Sequence, residues 1–195
     1  MDSSAPVFLS ASTVHMVLGR SSSGKTQLVT NILQNFDTIY GQRIERFVLV
    51  YSVWQDAYGT MCATLPRDVA LFTYHCLQKE VFDLVKTPAP RCGLTVLVVD
   101  DQADVFLKRT YDHDLVKLAT VYCHHNKTCA FFLLQLSSFK SPPALQILFA
   151  NSKYFYLSFF KATLPSILCN NLQVREHAWN IFSFHYSVTI SPPNP

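Results

Sequence analysis

The segment Gly19-Arg20-Ser21-Ser22-Ser23-Gly24-Lys25-Thr26 constrains this chain more than any other. It follows a short apolar run, Thr13-Val14-His15-Met16-Val17-Leu18, and precedes Gln27-Leu28-Val29-Thr30-Asn31-Ile32-Leu33, whose apolar residues fall at helical spacing. Strand, tight loop and helix are therefore expected in that order. The pattern G-x-x-x-x-G-K-[ST] in that setting predicts a phosphate-binding loop.

A polyphosphate requires many short donors in a small concave space. Backbone N–H groups provide them if the chain curls tightly and starts a helix behind the curl. Gly19 and Gly24 are expected to permit the curl, and Ser21, Ser22 and Ser23 are small enough for close backbone approach. The expected nucleotide-binding set is Gly19, Arg20, Ser21, Ser22, Ser23, Gly24, Lys25, Thr26 and Gln27. Lys25 is placed against the β and γ phosphates, and the Thr26 hydroxyl on Mg²⁺.

Hydrolysis of such a ligand requires a carboxylate for the metal's water shell and a second for the attacking water. Leu94-Thr95-Val96-Leu97-Val98-Val99-Asp100-Asp101 reads as a buried strand ending in two carboxylates. Asp100 is assigned to Mg²⁺ through water and Asp101 to the catalytic base. Gln135 follows the apolar run Ala130-Phe131-Phe132-Leu133-Leu134, which puts an amide at the end of another strand. Its expected role is that of a sensor beside the γ phosphate.

Further apolar runs at Arg46–Tyr51, Ala70–Tyr74 and Tyr154–Phe160 read as buried strands, separated by helical or mixed segments. Such alternation predicts an α/β fold with a mainly parallel sheet sandwiched by helices. Together with the loop, the expected class is a P-loop NTPase of the RecA/ASCE-like type. A chain of 195 residues, 49% of them apolar, suits one domain, placed at residues 1–190 with a Pro-rich tail at 191–195. Ala162–Leu172 reads as helical and Trp179–Ile190 as one more strand.

The net charge of +3 with 15% charged residues excludes a protein that coats nucleic acid through overall basicity. Arg43, Arg46, Lys108, Arg109 and Lys117 are expected to be exposed, either as nucleic-acid contacts or as a solvated face. No basic segment precedes an apolar stretch at the amino terminus, and no apolar run approaches roughly 18 residues. A soluble intracellular protein with no membrane partner is expected. The six cysteines form no C-x-x-C pair, which suits reduced thiols. Cys123-His124-His125 and Cys129 contain ligand types for zinc, but their spacing matches no standard finger. They are read as a helix-to-strand connection whose histidines face a subunit interface or the nucleotide.

Over residues 13 to 175 the chain resembles the genome-packaging ATPases of the FtsK/HerA superfamily from double-stranded DNA viruses, in the poxvirus-like and Maverick/Polinton or adintovirus-like branch. The resemblance rests on Gly19–Thr26, Tyr51-Ser52-Val53-Trp54-Gln55-Asp56-Ala57-Tyr58, Leu97-Val98-Val99-Asp100-Asp101, His124-His125-Asn126-Lys127, Phe131-Phe132-Leu133-Leu134-Gln135 and Asn151-Ser152-Lys153-Tyr154, in this order. It implies an ATP-hydrolysing motor that translocates double-stranded DNA into a capsid. It also implies a homo-oligomeric ring of five or six subunits, docking at a capsid portal or vertex. The host cytoplasm or nucleus, and transiently the virion, are the implied locations. The resemblance also supports Gln135 as sensor.

One departure bears on rate. Relatives carry an arginine between the sensor strand and the Asn-Ser-x-Tyr element, whereas Pro142–Phe149 has none and Gln146 occupies its place. Loss of a trans-acting arginine predicts slow hydrolysis unless Lys140, Lys153 or another residue substitutes. Alternative readings are a superfamily 3-type viral helicase, a nucleotide-binding assembly subunit with little catalysis, and a small-molecule kinase. Gln135 and the long Thr26–Leu94 interval weigh against the helicase, and the lack of an Arg-rich lid segment against the kinase.

Overall fold

The computed structural model describes residues 9–91, 93–135 and 143–158. In chain order the elements are β1 (Val14–Gly19), α1 (Lys25–Gln34), α2 (Phe36–Tyr40), β2 (Ile44–Val50), α3 (Asp56–Ala63) and β3 (Ala70–Tyr74). There follow α4 (Lys79–Val85), β4 (Leu94–Asp100), α5 (Ala103–Lys108) and α6 (Asp112–Lys117). A π-helical turn, Leu118–Tyr122, leads into α7 (Cys123–His125), and β5 (Thr128–Gln135), α8 (Pro143–Asn151) and β6 (Ser152–Ser158) complete the set. The expected helix at Ala162–Leu172, the strand at Trp179–Ile190 and the tail lie outside the described residues.

The six strands form one sheet, all pairs parallel, in the order β3-β2-β4-β5-β1-β6. Strand side chains alternate between two cores. Met16, Leu18, Val48, Leu97, Val99 and Phe132 face one side, covered by α4, α5, α6, the π-helical turn and α8. Val17, Phe47, Leu49, Val98, Phe131 and Leu133 face the other, under α1, α2 and α3. Burial on both faces explains why these strands read as continuous apolar runs. In α1, Val29, Ile32 and Leu33 recur on one face and are buried, each stabilising the fold by about 1.5–3 kcal/mol.

The expectation of buried strands fails for β3. Among the described residues it is a sheet edge, paired to β2 alone, and Leu71 is 48% exposed. Its apolar composition reflects β propensity at an edge rather than enclosure. Arg46 also departs from expectation. It is buried, and its Nη1 donates to the carbonyls of Leu84 (2.6 Å) and Thr87 (3.0 Å), fastening β2 to the end of α4. A guanidinium with two carbonyl acceptors is satisfied away from water. Arg43, Lys108, Arg109 and Lys117 are exposed as expected. No described helix is long and apolar enough to cross a membrane.

Candidate functional site

Parallel pairing brings the carboxyl ends of β1, β4 and β5 together, where ligands of open α/β sheets bind. Register sets Gly19 beside Gln135 across β1 and β5, and Asp100 beside Leu133 across β4 and β5. The phosphate-loop candidate, the acidic pair and the sensor candidate are thus assembled from three neighbouring strand ends. Gln135 is exposed there.

The loop curls as expected at Gly24, with Ser22 rather than Gly19 as the second left-handed residue. Gly19 closes β1, whereas left-handed backbone falls at Ser22 (φ 58°) and Gly24 (φ 84°). A serine in that conformation is strained, as is common in segments shaped for a ligand. Gly24 caps α1, whose first turn offers the N–H groups of Lys25, Thr26 and Gln27. Leu28 N–H already bonds the Gly24 carbonyl (2.9 Å). The side chain of Gln27 runs along the outside of α1 to Asn31 (2.9 Å), so only its backbone faces the loop.

Lys25 is buried, and its Nζ donates to the carbonyls of Arg20 (2.9 Å) and Gly19 (3.3 Å). The ammonium ties the loop back on itself. Burial lowers its pKa, and the nearby carboxylates of Asp100 and Asp101 oppose that shift.

The two halves of the site meet at Thr26 and Asp100. The Thr26 hydroxyl donates to Asp100 Oδ2 at 3.1 Å. Asp100 is 5% exposed, and burial raises its pKa against the hydrogen bonds from Tyr58 and Thr26 and the charge of Lys25. A hydroxyl and a carboxylate side by side at a phosphate loop are the oxygen donors that Mg²⁺ takes with nucleotide. The residues present therefore fit Mg²⁺, which Thr26 and Asp100 would hold.

Asp101 differs from its neighbour. It lies past the strand end, exposed, in left-handed backbone (φ 54°). The turn is held from behind: Gln102, 3% exposed, accepts from Leu77 N–H (2.9 Å) and donates to Ser52 Oγ (2.8 Å). Ser52 in turn donates to the Asp101 carbonyl. One amide thus ties the loops after β2, β3 and β4 together.

Sequence reading did not assign Tyr58, Gln102 or Ser52. Tyr58 and Ser52 lie within the Tyr51–Tyr58 motif segment, and Gln102 directly follows the acidic pair; that proximity is their only signal in sequence. His124 and His125 are exposed at the end of α7, before the amino end of β5. His124 lines a groove of about 610 Å³ with Arg43, Asp68, Arg91 and Lys127, at the sheet end opposite the loop. Within one chain the histidines therefore do not face the candidate loop. Among the described residues no three His, Cys, Asp or Glu side chains gather into a group that could hold a metal ion, and Cys123 and Cys129 are buried. Lys153 stands at the amino end of β6 near Ser10 (3.4 Å), far along the sheet from Gln135. Lys140 lies outside the described residues, and Gln146 is exposed on α8.

Comparison with protein-family models and with curated proteins finds no match.

Proposed function

We propose that this chain is a P-loop ATPase of the RecA/ASCE-like class that works as a DNA-translocating motor. The observation that carries the nucleotide reading is the 3.1 Å bond between Thr26 and Asp100, which joins two motifs far apart in sequence at one point. The presence of Gln135 beside Gly19 at the same strand ends supports it.

In this reading the backbone N–H groups of the Ser22–Gln27 curl bind the phosphates, and Lys25 exchanges the Gly19 and Arg20 carbonyls for phosphate oxygens. Mg²⁺, when bound, neutralises the charge developing on the phosphates. Thr26 and Asp100 hold it. Asp101 accepts the proton of the attacking water, and the Gln135 amide hydrogen-bonds at the γ phosphate. Catalysis of this kind is positioning and electrostatic stabilisation, which suits a site built on rigid strand ends. With Gln146 where the resemblance places a trans-acting arginine, hydrolysis by the assembled ring is slow unless Lys140, Lys153 or another residue substitutes.

Translocation of double-stranded DNA, a homo-oligomeric ring and genome packaging rest on the order of motifs. ATP hydrolysis measured with and without double-stranded DNA, against Lys25→Ala, tests them. The expected result is Lys25-dependent hydrolysis stimulated by DNA. Hydrolysis indifferent to DNA rejects the motor. Nucleotide-dependent assembly without phosphate release, unchanged by Asp101→Asn, establishes instead an assembly subunit.

A further inference from the structure

The Asp100 carboxylate is met from two sides. Besides Thr26, the hydroxyl of Tyr58 donates to the same oxygen, Oδ2, at 3.0 Å. Tyr58 is fully buried on α3, and its ring packs against Tyr51 (centroids 5.7 Å apart) and Trp54 (5.8 Å). Tyr51 and Trp54 themselves meet edge to face at 5.3 Å. Trp54 is half exposed, so the three rings run from the surface to the carboxylate.

A phenol buried to this depth requires a partner for its O–H, and this one finds it on a carboxylate rather than a backbone carbonyl. Two donors on one oxygen fix the plane of the carboxylate, and with it the direction of the second oxygen. A carboxylate that must receive a hydrated cation at a set angle loses affinity if it rotates freely. Second-layer hydrogen bonds of this kind orient metal-binding groups in general.

We propose that Tyr58 is a positioning residue for the metal side of the site: its hydroxyl, anchored by Tyr51 and Trp54, holds Asp100 toward Thr26 and so sets the affinity for nucleotide-borne Mg²⁺. The proposal rests on the nucleotide reading above. It separates the site into a loop half, in which Lys25 and backbone donors bind phosphate without metal, and a carboxylate half, in which Tyr58, Asp100 and Thr26 add what Mg²⁺ contributes. Tyr58 does not touch the phosphates in this arrangement, so its removal acts on one half only.

The test is equilibrium binding of a fluorescent, non-hydrolysable ATP analogue to the full chain, in EDTA and across a Mg²⁺ titration. Wild type is compared with Tyr58→Phe, Asp100→Asn and the double variant. Tyr58→Phe keeps the ring and its packing. It is expected to bind the analogue in EDTA within about twofold of wild type, and to require about tenfold more Mg²⁺, the scale of one hydrogen bond to a charged group. In the Asp100→Asn background the same change is expected to add nothing, because the two side chains act as a unit. An unchanged Mg²⁺ requirement, an equal loss with and without Mg²⁺, or a full further loss in the double variant each overturns the positioning role. A wild type that binds the analogue neither in EDTA nor with Mg²⁺ overturns the nucleotide reading and this inference together; one that binds it but gains no affinity from Mg²⁺, or whose gain survives Asp100→Asn, overturns this inference alone.

Discussion

At the carboxyl ends of β1, β4 and β5, polar side chains from distant segments bond one another around the buried Asp100 carboxylate, whereas at the amino ends charges pair on the surface. Thr26, Tyr58, Gln102 and Ser52 converge on the Asp100–Asp101 turn. At the other end Arg43 pairs with Asp68 with the two side chains 63% and 44% exposed, and Arg91 approaches the same carboxylate at 3.9 Å. The first kind of contact fixes a carboxylate's direction, because leaving any member unpaired in a buried setting is costly. The second is screened and rotationally loose, and stabilises by about 0.2–1 kcal/mol. The difference marks where geometry is specified and where the fold tolerates change.

The comparison breaks most visibly if Asp101 is altered. Asp101→Asn is expected to lower ATP turnover by about 10²–10⁴-fold, the range for removal of a general base. Being exposed at the strand end, the substitution is expected to shift unfolding free energy by no more than about 0.5 kcal/mol. Steady-state hydrolysis and urea denaturation on the same preparation check both halves. A large stability loss with little loss of turnover reverses the assignment of this end to chemistry.

His15 supplies the next effect. It is fully buried in β1, stacked on Phe131 (4.5 Å) and Tyr154 (4.9 Å), with Nδ1 3.2 Å from the Tyr156 hydroxyl. Burial pushes its pKa down from 6.5 to about 3, opposed by a hydrogen bond with the Ala11 backbone. The unfolded chain therefore binds a proton that the folded chain refuses between pH 6.5 and about 3. The stability that the neutral ring contributes is complete above pH 6.5. It is lost as pH falls through that window, by at most about 1.4 kcal/mol per pH unit. His15→Phe retains the stacking and removes the titration. Its stability relative to wild type is expected to rise steadily from pH 6.5 down to pH 4.5 in urea denaturation. A constant difference across that range refutes the linkage.

How much of this was legible in sequence depends on range. The strand–loop–helix unit was readable because its signals are local: an apolar run, a glycine-bounded loop and helical spacing from Gln27 to Leu33. The strands were readable because burial on both faces leaves unbroken apolar runs, and β3 shows the limit, since an edge strand has the same composition without the burial. Asp100 and Thr26 were paired by motif. Tyr58 was not, because its partner is 42 residues away and no local pattern reports a hydrogen bond across the sheet. The exchange of Gly19 for Ser22 as the left-handed residue was equally hidden, since a serine does not announce positive φ. Arg46 shows the same limit in reverse: its charge suggested solvent, and only the fold brings two carbonyls to it.

The two arginines at the amino half of the sheet give the sharpest contrast, with the smaller effect at Arg43. Arg46→Ala leaves the Leu84 and Thr87 carbonyls without their buried donor and is expected to cost about 2–4 kcal/mol. Arg43→Ala removes an exposed pairing with Asp68 and is expected to cost less than about 1 kcal/mol, a difference that shrinks further in 1 M NaCl. Lys108→Ala, also at an exposed position, serves as the reference for a change of charge alone. Thermal denaturation of the three variants at low and high salt separates the cases. If Arg43→Ala proves as costly as Arg46→Ala and insensitive to salt, the amino end is as tightly specified as the carboxyl end. The groove lined by Arg43, Arg91 and His124 then belongs to the rigid frame rather than to its tolerant edge.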